Sequence, residues 1–343
     1  SNFYITGTST DAGSIKTGSI TKKGQIVIDS EINDDSGLTL KKLPQTTTNI
    51  SVITRSTSPA NLYYLYSKTP TMLWGIDTNS GQIYKMTNGS YTPTLVSTQG
   101  GCRSMTINTD GFIYLTRDRQ SPGGRITKLD VNGVFQEDIL FNFTNNDTFG
   151  ERGLYIANDN SGHLYVSGSY DTTGGGQYRN FLIKLTTTGT VLHIFREDTT
   201  TTSISNTVLI KSKTEDVIYS YDATSTTIQK ITPSTNAIAD FITLPSTGYS
   251  IGTGYNGEIW TVKGTLLTVY NNIGTVIKTT DFVGISQNAT QTIIPSYDGF
   301  ALMNGVTTTL LYELVDVQTV QHKILKTDSL GKVVKATNLQ DVE

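Results

Sequence analysis

Two half-units alternate along this chain, and their recurrence restricts the fold more than any other feature. The first half is a tight turn followed by an apolar run: Asp110-Gly-Phe-Ile-Tyr114, Ser161-Gly-His-Leu-Tyr165, Glu215-Asp-Val-Ile-Tyr219, Asn256-Gly-Glu-Ile-Trp260 and Asp298-Gly-Phe-Ala-Leu302. Asp-Gly, Ser-Gly and Asn-Gly between apolar runs signal hairpins, because Gly accepts the positive φ that such turns need. The second half is a strand ending near a Gly turn. Its copies start at Ser19, Lys85, Lys128, Lys184, Lys230, Val269 and Lys326, and all but the one at Lys230 reach a Gly about five residues on. Their mean spacing is about 51 residues, close to the ~40–50-residue period of radially stacked sheets once insertions are counted.

A short apolar run precedes several first halves, as in Ser104-Met-Thr-Ile107, Leu154-Tyr-Ile156 and Val208-Leu-Ile210. Each unit therefore reads as inner strand, hairpin, second strand, loop, third strand, Gly turn and outer strand. One four-stranded sheet cannot bury both faces alone, whereas radial stacking buries them and leaves only short edges. The expected fold is all-β: a single β-propeller domain over residues 1–343, with seven four-stranded blades. Six or eight also fit, because the step from Ser19 to Lys85 is long and Leu310 to Val317 adds strand-like sequence. Phe3 to Thr6 lacks a preceding inner strand, so Val333 to Ala336 is expected to share its blade. Pairing of segments from the two termini would then close the ring and remove its free edges. The pattern resembles propellers with NHL-type repeats, which show xGxIYV…IxKxDxxG; the resemblance covers nearly the whole chain and implies architecture rather than activity. The Trp-Asp dipeptide of WD repeats is absent.

Composition narrows the chemistry. Charged residues make up 16% against ~25% in typical soluble proteins, the net charge is −3, and no basic stripe or acidic tail is present. Nucleic acid is not expected as a partner, nor is membrane insertion, since no apolar run nears ~18 residues. No signal peptide is visible, and the start at Ser1-Asn2 reads as a tag scar or a processed terminus. The lone Cys102 excludes an intrachain disulfide framework and a cysteine-rich zinc site, and reads as a buried inert thiol. His163, His193 and His322 have no partner at metal-ligand spacing. Nucleophile and phosphate-loop motifs such as G-x-S-x-G and G-x-x-x-x-G-K are missing, and Gly174-Gly-Gly176 reads as a hairpin loop. Asp77 to Gly81, Asn158 to Gly162 and Asn145 to Glu151 each resemble part of a calcium loop; all three read more economically as Asx-type turns. No cofactor is expected, with calcium as the single candidate.

The repeat is lengthened at Arg117 to Gly124, Ser169 to Asn180, Phe141 to Arg152 and Arg196 to Ser203. The first two join a second strand to a third and the last two join one blade to the next; in propellers both kinds of loop emerge on one face. Arg117, Arg119, Tyr170, Tyr178 and Arg179 form the candidate contact rim, combining donors and amphipathic rings of the kind enriched in interface hot spots. The Thr-, Ser-, Asn- and Gly-rich composition resembles tail, baseplate and fibre proteins of tailed bacteriophages. That resemblance implies a non-enzymatic virion or extracellular component, a homo-oligomer that contacts other structural subunits or a host-cell surface. Two alternatives stand beside it. One is a lactonase similar to gluconolactonases and paraoxonase-like enzymes, a resemblance that implies an axial calcium held from several inner strands, with Glu151 and Asn206 near inner-strand starts. The other is a secreted sugar-binding adhesin, although Trp74 and Trp260 lie in strands and suit a core role.

Overall fold

The computed structural model describes residues 60–294 apart from 61, 70–71, 87–90, 118–123, 142–150, 172–177, 199–206 and 282–292. Strand backbone alone is described for 151, 152 and 171 and for the strands outside these limits. Every regular element among the described residues is a strand. The chain divides into two compact units, Ser1–Asn49 with Val317–Glu343, and Ile50–Asp316.

In the first unit, β1 (Asn2–Phe3), β2 (Gly18–Ile20) and β3 (Ile26–Ile28) form one small sheet, and β4 (Leu38–Lys41) belongs to another. The second unit opens with β5 (Thr48–Ser56) and continues as five blades of four consecutive antiparallel strands. These are β6 (Tyr64–Thr69), β7 (Met72–Asp77), β8 (Gln82–Met86) and β9 (Pro93–Thr98); then β10 (Cys102–Ile107), β11 (Ile113–Arg117), β12 (Gly124–Leu129) and β13 (Phe135–Phe141). Next come β14 (Glu151–Asn158), β15 (Leu164–Asp171), β16 (Tyr178–Leu185) and β17 (Val191–Glu197), and then β18 (Thr207–Lys211), β19 (Ile218–Asp222), β20 (Thr227–Thr232) and β21 (Ala237–Thr243). The fifth blade holds β22 (Ser250–Thr253), β23 (Ile259–Lys263), β24 (Leu266–Tyr270) and β25 (Val276–Asp281). A sixth sheet takes three strands from late in the chain, β26 (Ile293–Pro295), β27 (Ala301–Asn304) and β28 (Leu310–Gln318), and its outer strand from β5. In the first unit, β29 (His322–Thr327) pairs with both β30 (Val333–Leu339) and β4.

The all-β propeller with four-stranded blades is therefore present, and seven blades are not confirmed: five consecutive blades and the sixth sheet form its ring. The inner strands β6, β10, β14, β18, β22 and β26 each touch the next, and β26 touches β6, so the ring closes on itself. Two of the seven repeat copies counted in the sequence, at Ser19 and Lys326, belong to β2 and β29 in the smaller sheets. Closure does join early and late segments, through β5 and β28 rather than through Phe3 and Val333; β30, which carries Val333, pairs with β29.

Packing runs from blade to blade. Tyr114, Ile126 and Phe141 of the second blade share a buried cluster with Ile156, Phe181 and Ile183 of the third. Phe141 and Phe181 meet edge to face, centroids 6.2 Å apart, the geometry that aromatic quadrupoles favour. The repeat lysine also has a structural use: Lys85, Lys128, Lys184 and Lys230 each lie over an aromatic ring, at 5.8, 4.5, 5.5 and 5.3 Å from Trp74, Phe112, Tyr165 and Phe241. The turns behave as their sequence requires. Asp110 Oδ1 accepts from the Phe112 amide at 2.9 Å while Gly111 takes φ +84°, and Asp77 Oδ1 accepts from the Asn79 and Ser80 amides at 3.0 and 3.3 Å. Asp77 thus serves its own turn, as the Asx reading anticipated.

Candidate functional site in the axial cavity

The innermost strands of the six sheets surround the axis. They border a partly open cavity of ≈260 Å³ to which β6, β10, β14, β18, β22 and β26 all contribute. Its wall is apolar along much of the strands, through Leu65, Ile107, Ile156, Leu209, Ile251 and Ile293. Polar groups gather where the inner strands end: Lys68 near the end of β6, Asn158 closing β14 with Asn160 beyond it, and Lys211 closing β18 with Ser212 and Lys213 beyond it. Among the described residues, no Asp or Glu lines it. Three ammonium groups gather there, of which Lys211 is ion-paired with Asp216.

Hydrogen bonds hold this end in shape. Thr106 Oγ1 donates to Asn158 Oδ1 at 2.6 Å, and Asn158 Nδ2 donates to Asn108 Oδ1 at 3.2 Å, tying β10 to β14. Thr253 Oγ1 donates to the Lys211 carbonyl at 3.0 Å, tying β22 to β18. Lys211 Nζ donates to Asn160 Oδ1 at 2.7 Å and to Asp216 Oδ1 at 3.1 Å. Lys68 Nζ reaches only the Asn108 carbonyl among its described partners, at 3.4 Å. Lys213 Nζ donates to the Ser67 carbonyl and lies 5.4 Å from the centroid of the Tyr66 ring. Burial, and then the neighbouring charge of Lys211, lower the Lys213 ammonium to a pKa of about 8. The phenols nearby stay neutral: burial raises Tyr66 above its ordinary value and pushes Tyr255 up to about 12 even though Ser67 bonds to it.

Of the rim residues expected from the sequence, the described ones, Arg117, Tyr170, Tyr178 and Arg179, do not line the cavity. Tyr170, Tyr178 and Arg179 sit on the β15–β16 hairpin, where Tyr170 pairs in register with Arg179. Tyr170 is 6% exposed within the interblade core; its hydroxyl bonds Glu197 Oε1 at 2.5 Å, and Arg179 Nη1 reaches the same oxygen at 3.3 Å. Arg117 ends β11 and donates to Thr127 Oγ1 at 3.3 Å. Arg119, and the candidate calcium ligands Asn206 and the Glu151 side chain, lie outside the described residues. Sequence reasoning missed Lys68, Lys211 and Lys213. The available signal was Lys211-Ser-Lys213 directly after the apolar run Val208 to Ile210, where the second blade has Asn108-Thr-Asp-Gly111.

No protein-family model matches this sequence, and no curated protein sequence does. Solved structures do match. A gluconolactonase from Xanthomonas campestris aligns with a TM-score of 0.56 at 11% identity, over 77% of this chain and 88% of its own. Regucalcin, a calcium-binding protein from Agrobacterium tumefaciens, aligns with a TM-score of 0.53 at 14% identity, over 78% and 95%. A streptogramin B lyase aligns with a TM-score of 0.51 at 15% identity, over 78% and 98%. The chain shares their β-propeller fold.

These neighbours overturn the virion expectation. The similar propellers include a gluconolactonase, the calcium-binding regucalcin and a streptogramin B lyase, and nothing in them points to a phage origin, a tail fibre or a baseplate. The composition that suggested a fibre follows instead from β-sheet preference for Thr and Tyr. The expectation of a non-enzymatic role loses its support with it. No helix among the described residues is long and apolar enough to cross a membrane.

Calcium can be tested against the residues. The ion takes six to eight oxygen ligands, usually with carboxylates among them. The residues that line the cavity offer amides, hydroxyls and three ammonium groups, and the described residues hold no cluster of three or more His, Cys, Asp or Glu placed to bind a metal. This part of the axis does not fit a calcium ion.

Proposed function

We propose that the chain is an enzyme of the lactonase or lyase kind, acting on a small organic molecule held in the axial cavity. One observation carries the reading: six inner strands converge on a partly open cavity whose charged groups lie at one end, among them an amine with a pKa of about 8. The shared fold supports the class, since the neighbours named gluconolactonase and lyase are built the same way. Fold alone never licenses an activity, so the residues must supply the argument.

They supply two effects. The apolar wall excludes water from the body of a bound molecule, which strengthens every electrostatic contact made there. Lys213 and Lys211 then place positive charge where an ester or lactone carbonyl would develop negative charge on attack or ring opening. A Lys213 pKa near the working pH also suits proton transfer to a leaving oxygen, because both protonation states are populated.

The test is direct. Purified protein is assayed by pH-stat against a panel of lactones, gluconolactone included, alongside a Lys213→Met variant whose fold is checked by circular dichroism. Turnover above the uncatalysed rate is expected, falling about 100-fold or more in the variant, the scale of losing one group that stabilises the transition-state charge. A panel with no turnover, or a variant as active as the parent, sinks the reading.

A further inference from the structure

We infer that the axial cavity takes a carboxylate-bearing molecule, its anionic head against Lys68, Lys211 and Lys213 and its apolar body along the inner strands. The inference rests on the reading of this cavity as the ligand site and adds the class of ligand.

Charge is the first ground. Of the three lysines at this end, Lys211 alone has a carboxylate partner among the described residues, Asp216 at 3.1 Å. Lys68 and Lys213 meet backbone carbonyls, which satisfy hydrogen-bonding capacity without neutralising charge. Like charges brought together in a partly desolvated space are unfavourable, and a bound anion removes that cost. The second ground is polarity along the axis. Past the lysines the wall is Leu65, Ile107, Ile156, Leu209 and Ile251, which suits an alkyl or aryl body and not a second charged group. Size is the third: ≈260 Å³ is below the ~300–1,000 Å³ of drug-sized pockets, so the ligand is small and is not a polymer. A carboxylate matches these features better than inorganic phosphate, which would leave the apolar wall unused.

Binding is coupled to protonation. The groups around Lys213 are Tyr66 and Lys68 from β6, Lys211 at the end of β18 with Asp216 behind it, and Tyr255 through Ser67. Lys213 loses its charge as pH rises through about 8, so affinity is expected to fall there.

Isothermal titration calorimetry on the full chain, with hexanoate, its neutral analogue hexanamide and inorganic phosphate, tests this. Hexanoate is expected to bind at pH 7, with hexanamide weaker by about tenfold or more, the scale of one charge-assisted hydrogen bond. Lys213→Met is expected to lose a similar factor, and so is Lys68→Gln, whose exposed position keeps the test open if the Lys213 variant fails to fold. Absence of hexanoate binding overturns the inference, as do equal affinity for the amide, unchanged affinity in both variants, or binding of phosphate in place of hexanoate. Lactone turnover without hexanoate binding would overturn this inference and leave the enzymatic reading standing. Hexanoate binding without lactone turnover does the reverse.

Discussion

At the residue scale, Asp159 shows how a turn carboxylate becomes structural. Its side chain is 1% exposed, and it accepts from His163 Nδ1 at 2.9 Å, from the His163 amide at 2.8 Å and from the Tyr165 hydroxyl at 3.3 Å. Lys184 Nζ, itself tied to the Pro233 carbonyl of the next blade at 3.1 Å, lies 3.5 Å away. Burial by itself would raise the Asp159 pKa; the His163 hydrogen bonds and the charges of His163 and Lys184 outweigh it and hold the carboxyl below its ordinary value. A depressed folded-state pKa stabilises above the unfolded value of ~3.9, and that contribution is lost as pH falls through the folded value. Asp159→Asn should therefore lower the melting temperature at pH 7, by about 3–5 kcal/mol in stability because Lys184 is left without its buried partner, and the gap to the parent should narrow at pH 3. Equal melting curves at pH 7 would refute it. Cys102 gives a second prediction. Burial pushes its thiol up to about 12, beyond what the charge of Arg117 offsets, so Ellman's reagent should label it only after denaturant is added.

At the scale of the element, the repeat's glycines differ in what they do. Gly111 and Gly189 both have positive φ, +84° and +89°, so any L-residue there costs about 1–2 kcal/mol in backbone strain. A Cβ at Gly111 would meet nothing within 4 Å, whereas at Gly189 it would collide with the Leu140 carbonyl on the outer strand of the preceding blade. Gly189→Ala should consequently destabilise more than Gly111→Ala, with chemical denaturation as the measure. The same contact explains why this glycine recurs at the unit's period: the third-to-outer turn of one blade packs on the blade before it. Residues of the expected rim behave similarly. Tyr170 and Arg179 are used in joining β15, β16 and β17 through Glu197, a role that loop length could not disclose.

For the whole molecule, closure is the decisive event. The outer strand of the sixth sheet comes from β5, early in the chain, and it covers the edge of β28. Deleting residues 1–56 removes that strand, whereas deleting 1–47 leaves it in place. The longer deletion should lower soluble yield and shift the protein towards aggregates on size exclusion, because an uncovered β-edge pairs with other chains. Equal behaviour of the two truncations would show that β5 is dispensable for closure.

Much of the blade was legible in the amino-acid order. Hairpins at Asp110-Gly111, Ser161-Gly162 and Asn256-Gly257, the third strands at Lys85, Lys128, Lys184, Lys230 and Val269, and the inert Cys102 all depend on local conformation and alternation, which neighbouring residues determine. Blade number did not, because the repeat signature also marks β2 and β29, while β28 completes a blade without it. The axial site was invisible for the same reason. Ser67 and Lys213 touch across 146 positions of sequence, and their meeting depends on how many blades close the ring. Local chemistry wrote the strands and turns; ring closure, a property of all the blades at once, decided which lysines face one another.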